Sequence, residues 1–383
     1  MTDKLEREEY WHWFHGISGI SQKEKEELLR ICPKAEEWYE AGRTKKSKEL
    51  LGPVCDELQK QKERKEQIIN ALEDHKSMEE MRKSYALAKR KGISMVCRES
   101  EHYPERLRSV FLPPLMLYYY GRLPQEDRPA LAVIGARNCS VYGEEIAASF
   151  SRRLAAAGIR IISGMARGID SAAGRAAINE TGCAYAVLGS GVDVCYPREN
   201  KLLYSYLMER GGVISEEPPG TPPASWNFPK RNRIISGLSD AVFVVEAREN
   251  SGSLITVSYA LEQGKEIYAI PGRIYEKLSE GTNRLIQEGA YLVREPEDIL
   301  HGFSEKFGHF FSEKAEENKS FEKILLASRE KIVYACLSLR PKHIEELSEE
   351  TGIPIPELAG VLFDMEVKHY IKQPLKNYFI IQS

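Results

Sequence analysis

Between residue 130 and about 295, short apolar runs alternate with amphipathic stretches, and no other feature narrows the fold of this chain so far. Leu131–Gly135, Ile159–Ser163, Ala184–Leu188, Val213–Ser215, Ala241–Glu246, Ile267–Pro271 and Tyr291–Val293 read as strands. Glu144–Ala157, Ser253–Gln263 and Thr282–Glu288 lie between them with apolar residues at helical spacing. Neighbouring parallel strands need a long crossover, and a helix supplies one that also shields a sheet face. The alternation therefore predicts an α/β fold, a doubly wound and mostly parallel sheet covered on both sides.

An open sheet of this kind collects its ligand outside the carboxyl ends of its strands, where helix N-termini aim free N–H groups at an anion. Two junctions there carry arginine among small residues: Ser163-Gly-Met-Ala-Arg-Gly-Ile-Asp170 and Phe228-Pro-Lys-Arg-Asn-Arg-Ile-Ile-Ser-Gly-Leu238. In the first, Gly164 permits close backbone approach, Arg167 projects near a helix start, and Asp170 is placed to cap free N–H groups. In the second, Lys230, Arg231 and Arg233 surround Asn232, and cations so close repel unless solvated or paired with an anion. Trp226 and Phe228 are candidate stacking rings beside them. The loop Gly135–Gly143 adds Arg137, whose guanidinium suits bidentate phosphate contact. Asp193, in Leu188–Pro197, fits either a ribose contact or a turn. Phosphate is the ligand chemistry these loops share.

The flanks differ from this core. Residues 1–92 read as a helical domain, with a Ser21-Gln-Lys-Glu24 capping box and a glycine-marked turn, His15-Gly-Ile-Ser-Gly-Ile20, of the helix-hairpin-helix kind. Gln59–Lys91 mixes both charges at helical spacing, as a solvated helix face does. The core domain, 93–296, begins with a connecting segment that includes the edge strand Leu115–Tyr120. Residues 297–320 are charged and poor in aliphatic side chains, which predicts a linker. In 321–383, helices over Glu330–Leu337, His343–Glu350 and Pro356–Lys368 precede a hairpin, the pattern of a winged helix. Its third helix carries Glu357, Asp364 and Glu366 against Lys368, which suits protein contact better than DNA readout.

Composition excludes several classes. A formal net charge of −3 gives no global field for nucleic acid, so any such binding rests on local clusters. The seven scattered cysteines, with no C-x-x-C, point to reduced thiols rather than a disulfide frame or zinc site. The sequence predicts no signal peptide and no membrane span. No histidine occurs between 130 and 300, which removes the commonest general acid–base group from the core. The first loop departs from the G-x-G-x-x-G dinucleotide fingerprint, and neither a P-loop nor a nucleophile elbow occurs. Binding without a cofactor or metal is the expectation, rather than catalysis.

With Gly135-Ala-Arg137, Ser163–Asp170, Gly189-Ser-Gly-Val-Asp193, Ser215-Glu-Glu-Pro-Pro-Gly220, Phe228–Leu238, Ser251-Gly-Ser-Leu-Ile-Thr256, Ala269-Ile-Pro-Gly272 and Gly281-Thr-Asn283 in this order, the chain resembles the DNA-processing protein A family (DprA, also called Smf) over about 94–295. The resemblance implies an extended Rossmann-like core in a cytoplasmic, non-enzymatic protein of natural transformation. It implies three partners: incoming single-stranded DNA, the RecA recombinase that the protein loads, and a second copy in a homodimer. Carried over, it makes Arg137, Gly164, Arg167, Lys230, Arg231, Asn232 and Arg233 the DNA contacts and Phe228 a stacking or shaping residue. Met165 stands where many members have glycine, and Ala136 where threonine is common.

Two other readings compete. The core is also similar to nucleotide phosphoribohydrolases, but Asn250–Thr256 lacks their Pro-Gly-Gly-x-Gly-Thr-x-x-Glu loop. The flanking helical domains also fit a protein–protein adaptor.

Overall fold

The computed structural model describes residues 5–51, 62–180, 184–308, 310, 328–338 and 340–381. Two units form, Met1–Lys306 and Phe307–Ser383.

The first unit is built on nine strands: β1 Ser94–Cys97, β2 Met116–Gly121, β3 Ala130–Ile134, β4 Arg160–Ser163, β5 Ala184–Leu188, β6 Gly212–Ser215, β7 Ala241–Val244, β8 Glu266–Ala269 and β9 Tyr291–Leu292. They lie in the order β1-β2-β6-β5-β4-β3-β7-β8-β9. From β6 to β9 every pairing is parallel, while β1 and β2 add an antiparallel edge. β3 to β7 are buried along their whole length, as strands covered on both faces must be. The short β1 is an addition to the sequence expectation, within the connecting segment.

The N-terminal helices pack onto this edge. Trp11, Trp13, Phe14 and Trp38 share a core with Leu115, Met116 and Tyr118 of the β2 region. The capping box forms, with Ser21 accepting from Glu24 N–H while the Glu24 carboxylate accepts from Ser21 N–H at 2.8 Å. The glycine turn is docked rather than free: the half-buried His15 ring bonds the Glu216 carbonyl at 2.8 Å, and the buried Lys25 ammonium donates to Ile17 O at 3.0 Å. Burial lowers that ammonium to about 8. The mixed-charge stretch is two helices, Lys62–Leu72 and His75–Arg90, divided by the N-cap Asp74. Its first residues, 59–61, lie outside the described residues.

The expected linker needs correction at its start. Residues 296–308 are helical and bury Ile299 and Phe303. Gly302 lets this helix approach the Tyr268 hydroxyl, and Lys306 pairs with Glu266 at 2.8 Å. Residues 311–327, with the rest of that linker, lie outside the described residues. So do Cys55 and Cys183, whereas Cys32, Cys97, Cys139, Cys195 and Cys336 are free thiols.

The second unit is a winged helix. Ser328–Cys336, Ile344–Thr351 and Ile355–Val367 enclose Val333, Leu347, Leu358, Leu362 and Met365, and a hairpin of Ile371–Leu375 with Tyr378–Ile381 closes the core. Gly352, at φ +68°, ends the middle helix in the left-handed cap that only glycine adopts without cost.

Candidate nucleic-acid interface

The strand order reverses beside β3. One crossover leaves β3 for β4, and the chain later returns to lay β7 against its other side. The loops after β3 and β7 part there, which opens the crevice where doubly wound sheets take ligands. A cleft of about 1040 Å³ occupies it, walled by residues 135–138, the helix Asn227–Gly237, residues 248–253 and the loop bearing Lys277.

The helix Asn227–Gly237 presents two faces. Phe228, Arg231, Asn232 and Ile235 line the cleft, at the i, i+3, i+4, i+7 spacing of one helical face. Lys230 and Arg233 turn the other way. Arg233 is buried and pairs with the buried Glu216 carboxylate at 2.8 Å, while its Nε donates to Leu112 O at 3.2 Å. Lys230 lies 3.2 Å from both Glu216 and Glu217. Burial alone would raise the Glu216 pKa, but Arg233 and Lys230 hold it below the ordinary value. The three-cation cluster of the sequence is thus divided, and two of its members are neutralised from within.

Arg231 forms the floor. Its guanidinium donates to Gly164 O at 3.0 Å and to Val187 O, and its Nε donates to Asn232 Oδ1 at 3.3 Å. A Cβ on Gly164 would meet Arg231 Nη2 at 2.6 Å, so glycine here makes room for the arginine rather than for a ligand. Burial lowers the Arg231 pKa to about 10 against the pull of Asp170, and it stays charged at neutral pH. Asp170 accepts from Gly164 N–H at 2.9 Å and Ala166 N–H at 3.5 Å, which caps the loop as its position suggests. Burial raises this carboxyl, with Arg231 opposing. Asn232 Nδ2 donates to Gly252 O at 3.3 Å and ties the floor to the opposite wall.

The rim is open. Arg137 is exposed with its guanidinium 5.4 Å from the Phe228 ring centre. Phe228 meets the Tyr196 ring at 5.7 Å, a tilted pair half open to solvent. Arg248 and Lys277 are also exposed on the lining, and with Arg137 they have no ion pair among the described residues. Opposing them on the lining are Asp170, already bonded to the loop, Glu280, and Glu249, which lies 3.9 Å from Arg284. Arg167 sits apart from the floor and pairs with Glu199 at 2.7 Å on the exposed surface. Trp226 is exposed and is not among the lining residues.

Three positions revise the sequence picture. The helix Val141–Ala156 is capped from within: Ser140 Oγ accepts from Gly143 N–H at 2.9 Å, and Glu246 accepts from Ser140 N–H at 2.9 Å and from the Ser140 hydroxyl. Asp193 holds a turn, accepting from Gly220 N–H at 2.6 Å and pairing with Lys91 at 2.7 Å. Met165 adopts φ +51° with its side chain wholly buried, which explains why glycine suits that position. Sequence reasoning gave Tyr196, Arg248 and Lys277 no role. Arg248 stood in a strand-end loop that was legible, whereas Lys277 follows no motif.

The family model described as DNA recombination-mediator protein A matches residues 94–304, and that of the DprA winged helix domain matches 322–373. Protein Smf of Escherichia coli (strain K12) is 40% identical over 282 residues, covering 72% of this chain and 74% of that one. The chain belongs to the DNA-processing protein A family. The X-ray structure of DNA processing protein A from Streptococcus pneumoniae superposes with a TM-score of 0.64 at 30% identity, over 78% of this chain and 98% of that one. The Helicobacter pylori DNA processing protein A, solved for its single-stranded DNA binding mode, gives 0.51 at 27% identity, over 56% of this chain and 96% of that one. Both DprA family domains matched by these models, core and winged helix, are therefore present in this chain.

Proposed function

We propose that the cleft binds single-stranded DNA and that the protein is a non-enzymatic mediator that protects incoming strands and loads the RecA recombinase onto them. The observation that carries this reading is the rim: Arg137, Arg248 and Lys277, exposed and without carboxylate partners among the described residues, around the half-open Phe228–Tyr196 pair. Cations meet the phosphates while an aromatic face accepts any base, a combination that suits a strand without sequence preference. A duplex hides its bases and offers that ring nothing. The Helicobacter pylori relative supports the same ligand class. The recombinase partner, the homodimer and a cytoplasmic setting are part of the proposal, drawn from the resemblance to the family; among the described residues no helix is long and apolar enough to cross a membrane.

Fluorescence anisotropy with labelled oligo-dT and a matched duplex, each at several salt concentrations, tests the proposal. Tight single-strand binding with a steep salt slope is expected. Equal, weak binding of both would overturn it.

The winged helix supports the adaptor role as a second reading. Phe363 and Val367 are 65% and 62% exposed on the helix that also bears Glu357, Asp364 and Glu366. Apolar and acidic together, that face suits a protein rather than a phosphate backbone.

A further inference from the structure

One wall of the cleft ends in a tip that the fold does not require. Glu276 N–H donates to Arg273 O at 3.1 Å, which makes residues 273–276 a β-turn with Ile274 and Tyr275 at its corners. Such corners favour glycine, proline, asparagine and aspartate. Here Ile274 is 76% exposed and Tyr275 92%. The tip is held firmly in that state. The Asn283 amide clamps Gly272 on both sides, accepting from its N–H and donating to its carbonyl at 3.0 Å each. Ala247 N–H donates to Leu278 O at 2.8 Å, which stitches the loop to the segment after β7. An aromatic ring exposed at the head of a braced loop is a face on which a base can stack.

Its surroundings indicate the occupant. Arg273 and Lys277 flank Tyr275 at two-residue spacing, both exposed, and Lys277 also lines the cleft. Beyond the loop lies a second crevice of about 610 Å³, bounded by Arg273 and by Tyr142, whose ring is 56% exposed and meets no other ring among the described residues. The two carboxylates on that crevice are engaged, Glu246 by Ser140 and Glu276 at 3.5 Å from Arg273. The Tyr275 ring beside Lys277, unpaired among the described residues and continuous with the cleft, repeats the chemistry of its rim, with Arg273 next to them in a loose pair with Glu276. Resting on the reading of the cleft as a single-strand site, we infer that the strand leaves it over residues 272–278, stacking one base on Tyr275 and a following base on Tyr142. This outer subsite takes any single strand long enough to reach it and adds nothing to a strand confined to the cleft.

Strand length separates this inference from the reading beneath it. Full-length protein is titrated with oligo-dT of about 4 and about 16 nucleotides, the range one such site covers. Tyr275→Ser should weaken binding of the longer strand roughly tenfold and leave the shorter unchanged, and Tyr275→Trp should restore the longer. Equal loss for both lengths, or none for the longer, overturns the subsite. A fall in sedimentation mass with Tyr275→Ser would assign the tip to a contact between copies and overturn it likewise. If the wild-type protein binds neither strand, the cleft reading itself fails and the subsite goes with it.

Discussion

Arg233 and Glu216 hold each other at 2.8 Å, both nearly out of reach of water, behind the helix whose front lines the cleft. Removing one partner leaves an uncompensated buried charge. Arg233→Ala should therefore cost about 3–5 kcal/mol of stability. Thermal unfolding is the check. In whatever fraction remains folded, the salt slope of strand binding should equal that of wild type, since Arg233 meets no phosphate. A reduced slope at unchanged stability would return Arg233 to the DNA contacts.

Arg137 predicts the opposite pair of effects. Its guanidinium is exposed, lies over the Phe228 ring and has no ion pair among the described residues. Arg137→Ala should leave the melting temperature within error, weaken single-strand binding uniformly across sequences, and lower the salt slope by about 1. Arg231→Ala should lower both quantities, because Arg231 braces Gly164 and Val187 while facing the cleft.

Gly164→Ala tests how tightly that floor is assembled. The added methyl would stand 2.6 Å from one guanidinium nitrogen and 2.7 Å from the other. Arginine ends usually move aside, but this one is buried and held by two carbonyls. We expect a loss of about 1–3 kcal/mol, as for overpacking elsewhere, together with weaker strand binding. Wild-type stability and affinity in this variant would show that the floor is loose.

Acid should loosen the attachment of the N-terminal helices first. His12 is buried, bonds the Tyr118 hydroxyl at 2.7 Å, and is pushed by burial down to about 4. His15 is pushed the same way, to about 3. Unfolded histidine titrates near 6.5, so below that pH the unfolded chain takes a proton that the folded one refuses. The stability present above pH 6.5 is then lost as pH falls, at about 1.4 kcal/mol per unit for His12. Glu24, held down to about 2, enters only at lower pH. Unfolding measured between pH 7 and about 5.5 isolates the histidines; a flat profile there would contradict their burial as neutral rings.

The sheet was legible because its strands are short apolar runs bounded by glycine and polar loops, and each observed core strand falls within two residues of the expected one. β1 was not, since Ser-Met-Val-Cys carries neither alternation nor length. The helix at 296–308 hid for a similar reason: Ile299 and Phe303 make a thin stripe in a charged run. In the cleft, Arg137, Arg231, Asn232 and Phe228 do line one cavity. Spacing alone could group Phe228 with Arg231 and Asn232. It could not say that Lys230 and Arg233 face a carboxylate 13 to 17 positions away, because that pairing is made by the return of the chain from β6.

Glu246 and Asp170 have a consequence for how a strand is held. They take up backbone N–H groups of Ser140, Gly164 and Ala166, in loops that follow two strands of the sheet. A phosphate gripped by a ring of main-chain donors is locked in one place. On the rim of this cleft the exposed cations are instead long side chains, Arg137, Arg248 and Lys277. If the cleft holds a strand as proposed, side chains of this reach would fix its register less tightly than a ring of main-chain donors would.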